Sequence, residues 1–210
     1  MTRTAKCLAE RVQSCENKMG FYVNLSAAAE FAHCAAYLNT TNGLVNEQSS
    51  VSWRNGVLWN NPYPLSLRQG SVTEIRNSAI KASGPGQRIY QLSESAIVTN
   101  TDYNNLVRDN SALIAERQKI TGGSEVYNAV ADWQRESRQD VNSLSHASLF
   151  ADEAAGDFHV QRKRGRWVPG VGFTNDAFYS PLLDAGDPLH SFTNELDPNG
   201  SCVNIGQYGN

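Results

Sequence analysis

The sequence is short of charge and of long apolar runs. Charged residues occupy 19% of its 210 positions, and the formal net charge is −3. A nucleic-acid surface leaves a basic footprint, and this balance excludes one. No run of about 18 apolar residues occurs, which excludes a membrane-spanning helix. The opening "MTRTAKCLAERVQSC" lacks the apolar core of a signal peptide. Cysteine is scarce as well. Cys7, Cys15, Cys34 and Cys202 form neither a CxxC pair nor a Cys/His metal spacing, so they read as small core residues. Long helical periodicity is also missing before residue 120. What is abundant is Asn, Ser, Thr and Gln, with 16 Gly, beside 40% hydrophobic residues. That mixture favours turn-rich β structure.

The apolar residues return at a fixed step of 22. Ala9, Phe31, Trp53, Ile75 and Ile97 form one series, and Val23, Val45, Leu67 and Ile89 a second. A third runs Cys15, Tyr37, Trp59 and fails at Lys81. A polar series runs Asn17, Asn39, Asn61, Ser83, Asn105. Between these marks the pattern alternates, as in "SVSWRNGVLW", which describes short half-buried strands separated by turns. A coil of 22 residues would stack equivalent side chains at the strand spacing of about 4.8 Å. The apolar series then become a continuous core and the asparagines an amide ladder. Asn also accepts the left-handed conformation that a tight coil corner needs. "SGPGQ", residues 83–87, reads as an outward loop. The repeat fades near Asn110. After it, Ser124 is placed to cap a helix over about 125–136, with Val126, Tyr127, Val130 and Trp133 on one face. A solenoid end exposes core and unpaired strand edges, so the Gly- and Asp-rich tail is expected to wrap the end of the coil stack.

The segment "GDFHVQ…GRW…TNDAFYSPLLDAGDP…TNELDPNGSCVNIGQYGN", with "DWQRESRQDVNSLSHASLFAD" before it, resembles the C-terminal end of pectate-lyase-like right-handed parallel β-helix proteins. The likeness covers essentially the whole chain and is strongest over 131–210. It implies an all-β, right-handed parallel β-helix with a C-terminal cap containing a short helix. The coils would occupy residues 1–118, and the last coils and cap 119–210, in one domain. It further implies a bacterial protein that is extracellular or on the cell surface, with this chain as the C-terminal part of a longer one. The resemblance specifies no activity, since fold does not fix function. "QRKRGRW" is more basic here than the family pattern, and Gln207 stands where that pattern has Ala.

Candidate chemistry was sought in register. Asn24, Asn46, Arg68 and Tyr90 neighbour the Val23 series and are expected to face outward by alternation. With Arg88 nearby they offer amides, a guanidinium and a phenol for hydrogen bonding and stacking with a sugar chain. Arg162, Lys163, Arg164 and Arg166 form the one basic cluster. Arg162 and Arg164 suit the anionic groups of an acidic glycan, and the cluster equally suits a charged edge strand that resists aggregation. Glu30, Ser52 and Glu74 share a column, which sets the carboxylates about 9.6 Å apart, near the upper limit for an inverting glycosidase pair. Asp184, Asp187, Asp197 and Asn199 could hold calcium through hard oxygens; they read first as turn formers. No other cofactor is implied. His33, His146, His159 and His190 are scattered, with no nucleophile motif beside them. The sequons at Asn24, Asn39 and Asn199 read as incidental.

The leading expectation is a non-catalytic secreted or surface scaffold that contacts polysaccharide along one sheet face. Two alternatives stay open. One is a polysaccharide lyase or glycoside hydrolase acting on an acidic glycan. The other is a filament or adhesin unit that self-associates through an exposed N-terminal coil.

Overall fold

The computed structural model describes residues 6–109, 111–168, 170–191, 200 and 202–208. Three short strands make each coil. The first coil has β1 (Lys6–Glu10), β2 (Gln13–Cys15) and β3 (Met19–Asn24); the second has β4 (Ala28–Ala32), β5 (Ala35–Tyr37) and β6 (Asn42–Glu47). The third has β7 (Ser50–Arg54), β8 (Val57–Trp59) and β9 (Tyr63–Leu67). The fourth has β10 (Val72–Arg76), β11 (Ala79–Ser83) and β12 (Arg88–Leu92), and the fifth β13 (Ile97–Val98), β14 (Asn105–Asp109) and β15 (Leu113–Gln118). Every third strand pairs in parallel with the next, giving sheets β1-β4-β7-β10-β13, β2-β5-β8-β11-β14 and β3-β6-β9-β12-β15. The chain is therefore a parallel β-solenoid, as the 22-residue step predicts.

In the first two sheets the step is 22 residues over the first four coils, and in the third it is not. Ala9 pairs with Phe31, Phe31 with Trp53 and Trp53 with Ile75. Ring centroids of Phe31 and Trp53 lie 5.3 Å apart, and Phe21 sits 5.0 Å from Phe31. The fourth coil is longer, so Val72, not Ile75, pairs with Ile97, and Ile97 is exposed. In the third sheet the partners are Val23 with Asn46, Asn46 with Leu67, and Leu67 with Leu92. The successive steps there are 23, 21 and 25 residues, from the numbers of those partners. The Val23, Val45, Leu67, Ile89 series is thus not one stack. Residues 83–87 form the expected loop, turned by the Gln87 N–H to Gly84 carbonyl bond, and contribute to the longest step.

The asparagine ladder is present over three coils. The Asn17 N–H donates to Asn39 Oδ1, and the Asn39 N–H and Nδ2 both donate to Asn61 Oδ1. Asn61 Nδ2 donates to the Ala36 carbonyl at 2.8 Å. The ladder residues do not turn the corner themselves. The residues before them do: Glu16, Leu38 and Asn60 have φ of 58°, 53° and 53°. A second corner repeats Arg11, His33, Asn55 and Asn77, with φ of 54°, 55°, 48° and 51°. The expected rungs at Ser83 and Asn105 are not used. Asn105 Nδ2 instead donates to the His146 carbonyl and Ser148 Oγ.

Past the coils, β16 (Ser124–Tyr127) runs antiparallel to β15 and α1 (Val130–Ser137) follows. The helix is shorter than expected because residues 124–127 pair as a strand; its N-cap is Ala129, without a side-chain cap bond. Trp133 is buried and stacks on Tyr90 at 5.0 Å. Below them the buried Asp140 receives Tyr90 Oη, Trp133 Nε1, Asn104 Nδ2 and Ser143 Oγ. This piece closes the end of the stack.

The tail does something else. Hairpins β17 (Phe150–Asp152)–β18 (Asp157–Val160) and β19 (Arg166–Val168)–β20 (Gly172–Thr174) lead into it. Phe150, Phe158, Leu182 and Ile205 form a second core with Ala35, Val57, Trp59 and Ala79, residues of the second sheet. Trp59 meets Phe150 edge-on at 4.9 Å, and Tyr37 meets Phe158 at 5.1 Å. Lys81, where the third apolar series fails, lies 5.3 Å above the Trp59 ring. Gly156 turns the first hairpin at φ 75°, where a Cβ would sit 2.5 Å from the Tyr37 hydroxyl oxygen. Farther along, Gly206 N–H donates to the Asn77 carbonyl, Arg76 pairs with Asp187 at 2.8 Å, and His33 Nδ1 meets the Gln207 carbonyl at 3.0 Å. The tail therefore lies along the flank of several coils. The expectation that it wraps the end is corrected, because the outward aromatic column of the second sheet needed cover.

Candidate functional site

The third sheet shows what becomes of the expected sugar-binding row. Asn24 pairs with Glu47 across the sheet, and Arg68 Nη1 lies 3.5 Å from Glu47 Oε2. Tyr22 Oη donates to Glu47 Oε2 at 2.9 Å and accepts from Asn24 Nδ2 at 3.1 Å. Asn24, Tyr22, Glu47 and Arg68 thus make one outward hydrogen-bonded line. Asn46 and Tyr90 do not belong to it. Both are fully buried; Asn46 Nδ2 donates to the Val72 carbonyl and Thr73 Oγ1, and Tyr90 serves Asp140. The reason is parity: an odd step of 23, 21 or 25 in place of 22 turns a side chain to the other face. Arg88 is engaged too, paired with Glu116 and lying 5.2 Å over the Tyr63 ring. Tyr22 and Glu47, the two members that sequence reasoning missed, become visible only once the register is known.

On the first sheet, Glu30, Ser52 and Glu74 do share a column. They border a shallow groove of about 140 Å³. Each carboxylate has a cation: Lys6 at 2.9 Å from Glu30, and Arg54 at 3.1 Å from Glu74. The Lys6 hydrogen bond, then its charge, hold Glu30 below its ordinary pKa. A general acid for glycoside cleavage needs the opposite shift.

The third locus lies between hairpin β19–β20 and the tail. A cleft of about 240 Å³ opens there, walled by Arg11, Arg162, Arg166, Trp167, Phe173 and Tyr208, with His33 and His159. An adjoining hollow of about 390 Å³ shares Arg162 and adds Arg164 and Asp184. Trp167 and Phe173 are neighbours across the hairpin, 5.5 Å apart and edge-on, and both are exposed. The His159 ring lies flat on Tyr208 at 3.6 Å, and its Nδ1 bonds Asp157 Oδ1 at 2.6 Å. Arg166 is fixed from outside the wall by Asp176 at 3.2 Å and Asp157 at 3.5 Å. Burial pushes His33 below its ordinary pKa and pushes Tyr208 above its own, helped by the Asp157 charge. Of the sequence-predicted residues, Arg162 and Arg164 come together here. The histidines and aromatics beside them had no sequence signal, since only the path of the tail assembles them.

Among the described residues no group of three or more His, Cys, Asp or Glu is placed to hold a metal ion. Asp187 is taken by Arg76, and Asp184 is a turn residue at φ 55° whose N–H donates to Asn204 Oδ1. Asp197 and Asn199 lie outside the described residues. No disulfide joins Cys7, Cys15, Cys34 or Cys202. No described helix is long and apolar enough to cross a membrane. Comparison with protein-family models, curated proteins and solved structures returns no match to this chain.

Proposed function

We propose that the chain is a rigid β-solenoid scaffold of a secreted or cell-surface protein, and that it contacts polysaccharide along the open face of its third sheet. The observation that carries this reading is the Asn24–Tyr22–Glu47–Arg68 line. Its amide and phenol on β3, its carboxylate on β6 and the guanidinium just past β9 lie on three successive coils, and two hydrogen bonds and an ion pair hold them in place. A surface prepared in this way costs little ordering on binding. Sugars supply matching hydroxyls, and the half-exposed Tyr22 supplies a ring face. The paired state of Glu30 and Glu74 favours contact over hydrolysis on the neighbouring face.

Affinity electrophoresis in gels cast with acidic and neutral polysaccharides tests this. The wild-type chain is expected to be retarded by at least one glycan without releasing reducing ends, and Arg68→Ala is expected to lose most of that retardation. Equal mobility of both chains in every gel contradicts the proposal.

A further inference from the structure

We infer that the cleft between hairpin β19–β20 and the tail is a separate binding site for an anionic saccharide, with Arg162 receiving the acidic group and Trp167 the ring. This rests on the glycan-contact reading but uses a different part of the surface. Charge sets the cleft apart. The chain as a whole carries −3, yet the cleft wall holds three arginines and two histidines and no carboxylate. The nearby carboxylates, Asp157 and Asp176, stand outside the wall and are occupied with His159 and Arg166.

One of the cleft's arginines is also available. Arg166 is held by two carboxylates and Arg11 by Glu10. Among the described residues the Arg162 guanidinium has no carboxylate within ion-pair distance; its backbone is what is used, the N–H donating to Asp176 Oδ2 and the carbonyl accepting from the Gly165 and Asp176 N–H groups. A planar fork with free donors, on a strand-connecting segment fixed through its backbone, suits a carboxylate or sulfate. Arg164 stands in the adjoining hollow, which Asp184 also borders.

The shape of the cleft suits a sugar ring. Exposed Trp167 and Phe173 stand at one side, and the flat His159–Tyr208 pair at another. Aromatic faces beside polar donors are what a sugar ring needs, apolar on its C–H face and hydroxylated at its edge. The cleft is small against ligand sites of about 300–1,000 Å³, which fits a single ring with its neighbour in the adjoining hollow.

The test titrates the full chain with a galacturonic-acid trisaccharide, a sulfated disaccharide and a neutral galactose trisaccharide, following Trp fluorescence and heat. At least one charged probe is expected to bind about tenfold more tightly than the neutral one. Arg162→Gln and Trp167→Ala are expected to weaken it by about tenfold, Arg162→Lys by less, and Arg68→Ala not at all. Because the Arg162 side chain makes no hydrogen bond or ion pair among the described residues, Arg162→Gln should keep the wild-type melting temperature. The two acidic probes separate a carboxylate ligand from a sulfate ligand. Equal binding of neutral and charged probes, or undiminished binding by Arg162→Gln, overturns the assignment. Loss in Arg68→Ala with Arg162→Gln intact overturns it while leaving the sheet-face reading standing; no binding of any probe also overturns it.

Discussion

Asn61 accepts two hydrogen bonds from Asn39 and donates one to Ala36, all in a buried corner. Its removal strands a buried Asn39 N–H, and an unmet buried donor costs about 1–3 kcal/mol. Asn61→Ala is therefore expected to lower the unfolding free energy from denaturant titration by that amount, read against an exposed control such as Lys18→Ala; a loss equal to the control's would show that the ladder is ornamental. His33 gives a prediction in pH. Burial depresses its folded pKa, so the folded chain takes up a proton less readily than the unfolded one. The stability from neutral His33 is complete above the unfolded pKa of about 6.5 and is lost as pH falls through the lower folded value. His190, depressed by burial and by Arg54, acts in the same direction. Thermal melting should drop on mild acidification, and the drop should be smaller in His33→Gln. An identical drop in both would remove His33 from the account.

At the scale of elements, the end cap depends on one carboxylate. Asp140 is buried, meets four donors, and is pushed above the ordinary carboxylate pKa by desolvation despite them. Asp140→Asn turns one acceptor into a donor. Its amide must then face either the Tyr90–Trp133 pair or the Asn104–Ser143 pair, at a cost of about 1–3 kcal/mol. Hydrogen exchange should quicken in β16 and α1 first, since they rest on this network; uniform quickening in all coils would contradict that. The same elements show what a sequence can carry. Ala9, Phe31, Trp53 and Ile75 could be read in register because their corners keep one length. The third sheet could not, because its turns vary by a residue or more and each single-residue shift exchanges inside for outside. Asn46 and Tyr90 were misplaced for that reason alone. The strand at 124–127 was hidden by helix-compatible residues whose partner, β15, is a tertiary circumstance.

For the whole molecule, the tail is what makes a bare solenoid flank into a core. Trp59, Val57 and Ala79 face outward and owe their burial to Phe150, Leu182 and Ile205. A chain ending before Ser180 is expected to bind a hydrophobic dye strongly and to melt earlier than the full chain; unchanged dye binding would mean the flank is not covered as described. The tail's course could not be read from its residues. Its turns were legible, but their docking rests on single contacts such as Arg76–Asp187 and Gly206–Asn77, separated by over a hundred residues. The cleft inherits that illegibility, since the tail forms one of its walls.

A crystal structure of the full chain tests the central claim most directly. The account predicts Phe31, Trp53 and Ile75 on adjacent coils with Asn39 above Asn61, and Gln207 within hydrogen-bond reach of His33. Coils in another register, or a tail lying across the end of the stack and away from His33, would contradict it.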